Sequence, residues 1–252
     1  MIRVSGLTAF YDTANGGRIT ALSDVSLDVP RGGTCAVIGP SGCGKSTLLR
    51  ILAGVERRFE GEVSFAGAPI DPKRHTIGLI PQNYGLLPWK TVRENIRLSW
   101  RVKHSDVPTP PKESEMLARL GLEEPLLSRF PRELSGGQQQ RASLARAFLL
   151  QPDVLLMDEP FSALDAITRE EMQEVFFDLW RTQKVTTVLV THYVEEALYL
   201  GQTIVVLSSA PGRVAFMMDN PLFARRESSE EIVAQKTRLR AFLRGKGEGA
   251  AI

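Results

Sequence analysis

The segment GPSGCGKST, residues 39–47, leaves few folds open to this chain. It contains G-x-x-x-x-G-K-S, preceded by the apolar run TCAVI and followed by KSTLLRILAGV, whose Leu48, Leu49, Ile51 and Leu52 predict a helix closed near Gly54. A glycine-rich turn between a buried strand and a helix lets backbone N–H groups approach phosphate oxygens, and the helix N-terminus favours their charge. Gly39, Pro40, Ser41, Gly42, Cys43, Gly44, Lys45, Ser46 and Thr47 are therefore candidate nucleotide contacts. Lys45 is expected to reach the β- and γ-phosphates, and Ser46 to hold Mg2+. A glycine-rich turn with no ligand is the bland alternative, and the strand-then-helix context argues against it.

Around this segment the pattern is strand, helix and strand again. IRVSGLTAFY, ALSDVSLDV, TCAVIG, EVSFAGAPI and TIGLIP read as strands. From about 83 to 150 the chain is helix-rich, with TVRENIRLSW, ESEMLARLGL and a helix opening at ELSGGQQQ, while the prolines of SDVPTPPK predict a loop. After 151, VLLM, TTVLVT and IVVLSS are apolar runs of the kind found in parallel sheets. In TREEMQEVFFDLW, Met172, Val175, Phe176, Leu179 and Trp180 share a helical face, and Thr168 with Glu171 predicts a capping box. EEIVAQKTRLRAFLRGKGEGAAI predicts a charged helix and then a frayed glycine-rich end.

A net charge of +2 gives no argument for nucleic acid or an anionic membrane surface. The two cysteines, Cys35 and Cys43, suggest no disulfide framework and a reducing compartment. The first residues lack a secretory pattern, and no apolar run is long enough to cross a bilayer, so any work at a membrane is expected to need a separate anchor.

Further polar groups stand where strands end. VLLMDEP runs from four apolar residues into Asp158, expected to bind Mg2+, and Glu159, expected to accept a proton from an attacking water. TTVLVTHY ends in Thr191 and His192, the latter a candidate contact to the γ-phosphate or the water. Gln82 closes TIGLIPQ and can touch Mg2+ or water without neutralising either. Ser135 and Gln138 form S-x-x-Q, an N-terminal capping box, which leaves Gly136 and Gly137 unexplained. Glycines at the first helical positions bare backbone donors to an anion, so a second phosphate-facing helix start is expected.

LSGGQ, lying after the phosphate loop and before VLLMDE, resembles the ATP-binding-cassette ATPases over roughly residues 2–215. The resemblance implies an α/β P-loop NTPase with a RecA-like core, an N-terminal antiparallel β subdomain and an inserted helical subdomain. It implies an ATPase domain over 1–225, the helical insertion over about 83–150, and a C-terminal helix and tail over 226–252. It also implies a head-to-tail dimer with ATP and Mg2+, in which the P-loop of one copy and Ser135, Gly136, Gly137 and Gln138 of the other enclose each nucleotide. Lys45, Gln82, Glu159 and His192 become the catalytic set, and Ser46, Gln82 and Asp158 the Mg2+ ligands. Tyr11 becomes the aromatic residue stacking on adenine, and Ser162, Ala163, Leu164 and Asp165 the loop crossing the dimer interface.

LLPWKTVREN, LDAITREEMQ and EEALYLGQTIVVLSSAPGRV are similar to the nitrate, sulfonate and taurine type of importer ATPase. That likeness implies uptake of a small anion through separate permease subunits, indirectly with a solute-binding protein, at the cytoplasmic face of the inner membrane. Tyr193 departs from the family, which usually has aspartate after the switch histidine. A soluble cassette ATPase of repair or translation, and a weakly hydrolysing nucleotide sensor, are the competing readings.

Overall fold

The computed structural model describes residues 1–12, 16–107, 109–225 and 229–244. Residues 13–15 of TANGGRI, Pro108 of SDVPTPPK, residues 226–228 and the expected frayed end at 245–252 lie outside it. The chain forms two units, residues 1–75 with the chain from 186 on, and residues 76–185.

The first unit begins with a hairpin driven by alternating burial. Ile2, Val4, Leu7 and Ala9 of β1 (Ile2–Asp12) are paired in antiparallel register with Val29, Leu27, Val25 and Leu22 of β2 (Arg18–Val29), and all eight are buried. β3 (Thr34–Ile38) is buried at every residue and leads through the glycine-rich turn into α1 (Lys45–Leu52). β4 (Phe59–Phe65) and β5 (Ala68–Pro69) extend the hairpin into an antiparallel sheet of order β2-β1-β4-β5.

In the second unit β6 (Ile77–Ile80) is followed by the helical stretch expected from the sequence. α2 (Val92–Lys103) starts at a capping box in which the Thr91 hydroxyl accepts from Glu94 N–H and the Glu94 carboxylate accepts from Thr91 N–H. The bond from Thr91 N–H, with a second from the Thr91 hydroxyl at 3.0 Å, holds the Glu94 carboxyl below the usual range. α3 (Glu113–Arg119) is tied to α2 by a two-pronged ion pair, Arg97 to Glu113 at 2.6 and 2.7 Å, with Glu113 buried. After α4 (Glu124–Leu127) and a single turn at Pro131–Glu133, α5 (Gly136–Leu149) packs on α2, α3 and β6. β7 (Val154–Asp158) runs parallel to β6, and α6 (Ala166–Gln183) packs on α5.

The start of α6 corrects the expected Thr168–Glu171 box. The cap is Asp165, whose carboxylate accepts from Thr168 N–H at 3.0 Å, so Thr168 is already inside the helix. Asp165 has the short acidic side chain and extended backbone that a cap needs. The expected apolar face of the helix is seen at Met172, Phe176, Leu179 and Trp180, all buried; Val175 is half-buried.

The chain then returns to the first unit. β8 (Thr186–Thr191), α7 (Val194–Leu200), β9 (Thr203–Leu207), β10 (Val214–Asp219) and α8 (Glu230–Leu243) follow. β8 and β9 flank β3 in parallel, and β10 closes the edge antiparallel to β9. Residues 35–38, 186–191 and 204–207 carry nearly continuous burial, as strands covered on both faces require. α8 is fastened by stacked Phe242 and Phe216 rings, 4.3 Å between centroids, and by Arg240 and Lys236 on Glu195 of α7. Both cysteines are free and buried, and burial pushes the Cys35 thiol up to about 12. Among the described residues no helix is long and apolar enough to cross a membrane.

Asn95 decides the conformation of the loop before α2. It is fully buried; its amide oxygen accepts from Leu87 N–H at 2.6 Å, and its amide nitrogen donates to the carbonyls of Leu87, Lys90 and Thr91, each at 3.0 Å. Trp89 lies inside the span so held and is 70% exposed. Asn95→Leu removes the partner of Leu87 N–H and of Lys90 O and one of the two bonds held by each of Leu87 O and Thr91 O, and unpaired buried groups cost about 1–3 kcal/mol each where water cannot reach them. With partial rescue by water, a loss of about 3 kcal/mol in urea unfolding is expected.

Candidate functional site

In the first unit, the phosphate loop is shaped by contacts on its underside. Gly42 and Gly44 have φ of +78° and +96°, and Gly44 precedes α1 with no side-chain cap. A Cβ on Gly44 would lie 2.5 Å from Leu22 Cδ2 and 2.8 Å from Ala21 O, and one on Gly39 would lie 2.6 Å from Cys43 Sγ. A Cβ on Gly42 would meet nothing within 4 Å. The loop is thus packed below and open at Gly42, a cradle that fits phosphate oxygens. Lys45 is buried and its ammonium donates to Gly39 O at 2.7 Å and Pro40 O at 3.1 Å, which aims a cation along the loop. Ser46 is half-buried in the first turn of α1.

Two other candidates, Tyr11 and His192, belong to this unit. The Tyr11 hydroxyl lies 3.0 Å from Thr47 Oγ1, which joins the aromatic residue to the phosphate loop's helix. Ile19, opposite Tyr11 in the strand register, is 59% exposed and adds apolar surface beside the ring. His192 is exposed just past the end of β8, after buried Thr191.

The second unit brings together Gln82, Glu159, the SGGQ turn and the SALD loop. Glu159 follows β7 at φ +46°, a strained value for a non-glycine residue and one seen at functional turns. Its carbonyl accepts from Ser162 N–H at 3.2 Å and Ser162 Oγ at 2.9 Å, and its carboxylate accepts from Gln82 Nε2 at 3.4 Å. Asp158, half-buried, ends the strand. Ser135 caps α5 as expected: its hydroxyl accepts from Gln138 N–H, and Gln138 Oε1 accepts from Ser135 N–H at 3.0 Å.

Packing gives Gly136 and Gly137 a second reason to be glycine. A Cβ on Gly136 would lie 3.2 Å from Leu164 Cδ2 and from Tyr84 Oη, and one on Gly137 would lie 2.9 Å from Thr168 Cγ2. The same helix holds the loop after Gln82 from its other end. Ser143 Oγ and Arg146 Nη2 donate to Tyr84 O at 2.9 and 2.8 Å, and Arg146 Nη1 donates to Gly85 O at 2.5 Å. Burial pushes the Arg146 guanidinium below its ordinary range. Arg169 completes the cluster by donating to the carbonyls of Phe161 and Leu164 at 3.2 and 2.7 Å.

The Ser46 hydroxyl in the first unit, and the Gln82 amide and Asp158 carboxylate in the second, are each oxygen donors of the kind that suits Mg2+ and not a thiolate-seeking metal. The neighbouring thiol of Cys43 is buried, and that burial raises it away from the thiolate form.

Sequence reasoning missed Arg146, Ser143, Arg169 and Gly212. Gly212 sits in the APGR turn between β9 and β10; its N–H donates to Ala21 O and its carbonyl accepts from Ser23 N–H, both at 2.9 Å. A Cβ there would collide with the carbonyl oxygen of Cys43. The P-G pair was the available signal, since it marks a turn. Overpacking costs about 1–3 kcal/mol, and here the yielding atoms belong to the phosphate loop. Gly212→Ala is expected to weaken ATP binding about tenfold in a fluorescence titration.

Comparison with known proteins agrees with this geometry. Residues 22–162 match the family model described as ABC transporter. The chain is 42% identical to an aliphatic sulfonates import ATP-binding protein, SsuB, of Bacillus cereus over 222 residues, 87% of each chain. It is 40% identical to the taurine import ATP-binding protein TauB of Rhizobium johnstonii, covering 87% of this chain and 84% of that one. Among solved structures, the dimeric structure of MJ0796, a bacterial ABC transporter cassette, aligns with a TM-score of 0.77 at 31% identity, over 90% of this chain and all of that one. A post-hydrolysis state of the same cassette, bound to ADP and Pi, aligns at 0.75 and 30% identity, with the same coverage. The phosphate loop, the strand-end carboxylates, the SGGQ turn and relatives this similar along most of their length establish that the chain belongs to the ABC transporter family, as one of its ATP-hydrolysing cassettes.

Proposed function

We propose that this cassette is the ATPase subunit of an importer with separate membrane-spanning permease subunits, taking up small anions such as nitrate, sulfonates or taurine-like compounds. The observation that carries the reading is Glu159, held at the end of β7 with Gln82 on its carboxylate, in the same unit as the SGGQ turn. The names of the sulfonate and taurine relatives support the direction of transport and the class of cargo.

Tyr11 stacks on adenine, while the loop N–H groups and Lys45 hold the phosphates. Ser46, Gln82 and Asp158 would hold Mg2+, which would supply positive charge to offset that of the phosphates. The Ser135–Gln138 turn of a second copy closes on the γ-phosphate, and residues 162–165 line the contact between the copies. A water oxygen attacks the γ-phosphorus as the bond to the β–γ bridging oxygen breaks, and Glu159 takes the water's proton; the products are ADP and Pi. His192 donates to the γ-phosphate. The permease docks by the Gln82–Trp89 segment, whose exposed Trp89 offers an aromatic anchor. A solute-binding protein delivers cargo on the far side of the membrane, and this subunit works at its cytoplasmic face.

Glu159→Gln keeps an acceptor of the same shape but loses the base. ATP binding is expected to persist while turnover falls about 10²–10⁴-fold in a phosphate-release assay; unchanged turnover removes Glu159 from the role of base. Ser135→Arg puts a long cation at the closing turn. It is expected to leave ATP binding to the monomer intact and to abolish the ATP-dependent dimer seen by light scattering.

A further inference from the structure

Residues 192 and 193 do not diverge as neighbours on a strand do. β8 ends at Thr191, and Tyr193 is the residue before α7, with φ −92° and ψ 117°. The His192 and Tyr193 rings come together, 4.1 Å between centroids at 38°. The Tyr193 backbone is firmly held. Tyr193 N–H donates to Thr191 Oγ1 at 3.0 Å, and α7 behind it is buried at every residue except Glu195. The end of α7 is held by Asn220, whose amide donates to Leu198 O and Gly201 O at 2.7 Å each, and its exposed side by Arg240 on Glu195. His192 itself is exposed. Tyr193 stands at the cap position of the helix without a capping bond from its side chain, a task that Ser, Asp or Asn performs. Its half-buried ring lies beside an exposed imidazole.

We propose that Tyr193 is a positioning residue that holds the His192 imidazole in the orientation hydrolysis uses. The proposal rests on His192 acting at the γ-phosphate. Tyrosine here replaces a helix cap with an aromatic wall, which narrows the rotamers that the imidazole samples between turnovers.

Steady-state ATPase kinetics and proton NMR of the His192 ring on the purified full chain test this. Tyr193→Ser removes the ring and supplies the missing cap, so its melting temperature is expected not to fall. Its kcat is expected to drop about threefold to tenfold at unchanged KM for ATP, the range that the worth of an aromatic pair implies. Tyr193→Phe is expected to restore wild-type kcat, and Tyr193→Ser is expected to add no loss in a His192→Ala background. The His192 ring protons are expected to shift downfield in Tyr193→Ser as the ring current is lost, and to stay in place in Tyr193→Phe. The proposal is overturned if kcat is unchanged, if the loss persists in the His192→Ala background, or if the ring protons do not move. Full turnover by His192→Ala alone would instead remove the histidine's role, on which the proposal rests. Loss of turnover in His192→Ala with none in Tyr193→Ser defeats the positioning role by itself.

Discussion

Contact between backbone segments with no side chain in the way is the constraint on which the phosphate loop depends. At Gly44 the loop lies on Ala21 and Leu22 of β2; at Gly212 a turn from the other end of the sequence lies on Cys43. Leu22 and Gly212 also bridge each other in parallel, so three distant segments are fixed by one another. The loop's upper face is free for phosphate because its lower face is fully occupied. Its shape is therefore a property of the whole first unit, and a methyl group added beneath it acts on the nucleotide without touching it.

A similar logic makes one object of four motifs in the second unit. α5 begins with glycines that admit Leu164 and Thr168, and two turns later sends Ser143 and Arg146 to the carbonyls of Tyr84 and Gly85. Arg169 secures the SALD loop from the other side. Gln82 and the SGGQ turn are thus fastened to one rigid helix. Displacing Tyr84 and Gly85 while α5 stays still breaks three hydrogen bonds to buried donors, so the loop and the helix are built to move together.

Much of the fold was legible because burial wrote it in plain patterns. TCAVI, VLLM and TTVLVT are uninterrupted apolar runs, and they are strands covered on both faces. β10, VAFMMD, was not legible: it is an edge strand of mixed exposure, whose only buried residue is Phe216. The start of α6 was misread because Asp165 and Thr168 are both competent caps, and only backbone geometry distinguishes them. In the candidate site, residues with telling chemistry at a strand end or helix start could be read directly. Arg146, Asn95 and Gly212 could not, because an arginine or asparagine in a helical pattern and a glycine in a turn have many ordinary uses. Their roles come from which backbone groups they meet elsewhere in the fold, information that no local spacing holds.

The Asn95 clamp has a thermodynamic consequence for whatever meets Trp89. A loop that must be ordered on docking lowers affinity by about 0.5–1.5 kcal/mol for each side chain immobilised, with its backbone entropy in addition. Here three carbonyls and an N–H of the loop are already bound to one buried amide, so that entropy was lost when the chain folded. Docking on this surface then resembles fitting two rigid bodies. Small errors of fit are not absorbed by the loop, and selectivity among similar partners rises with its stiffness.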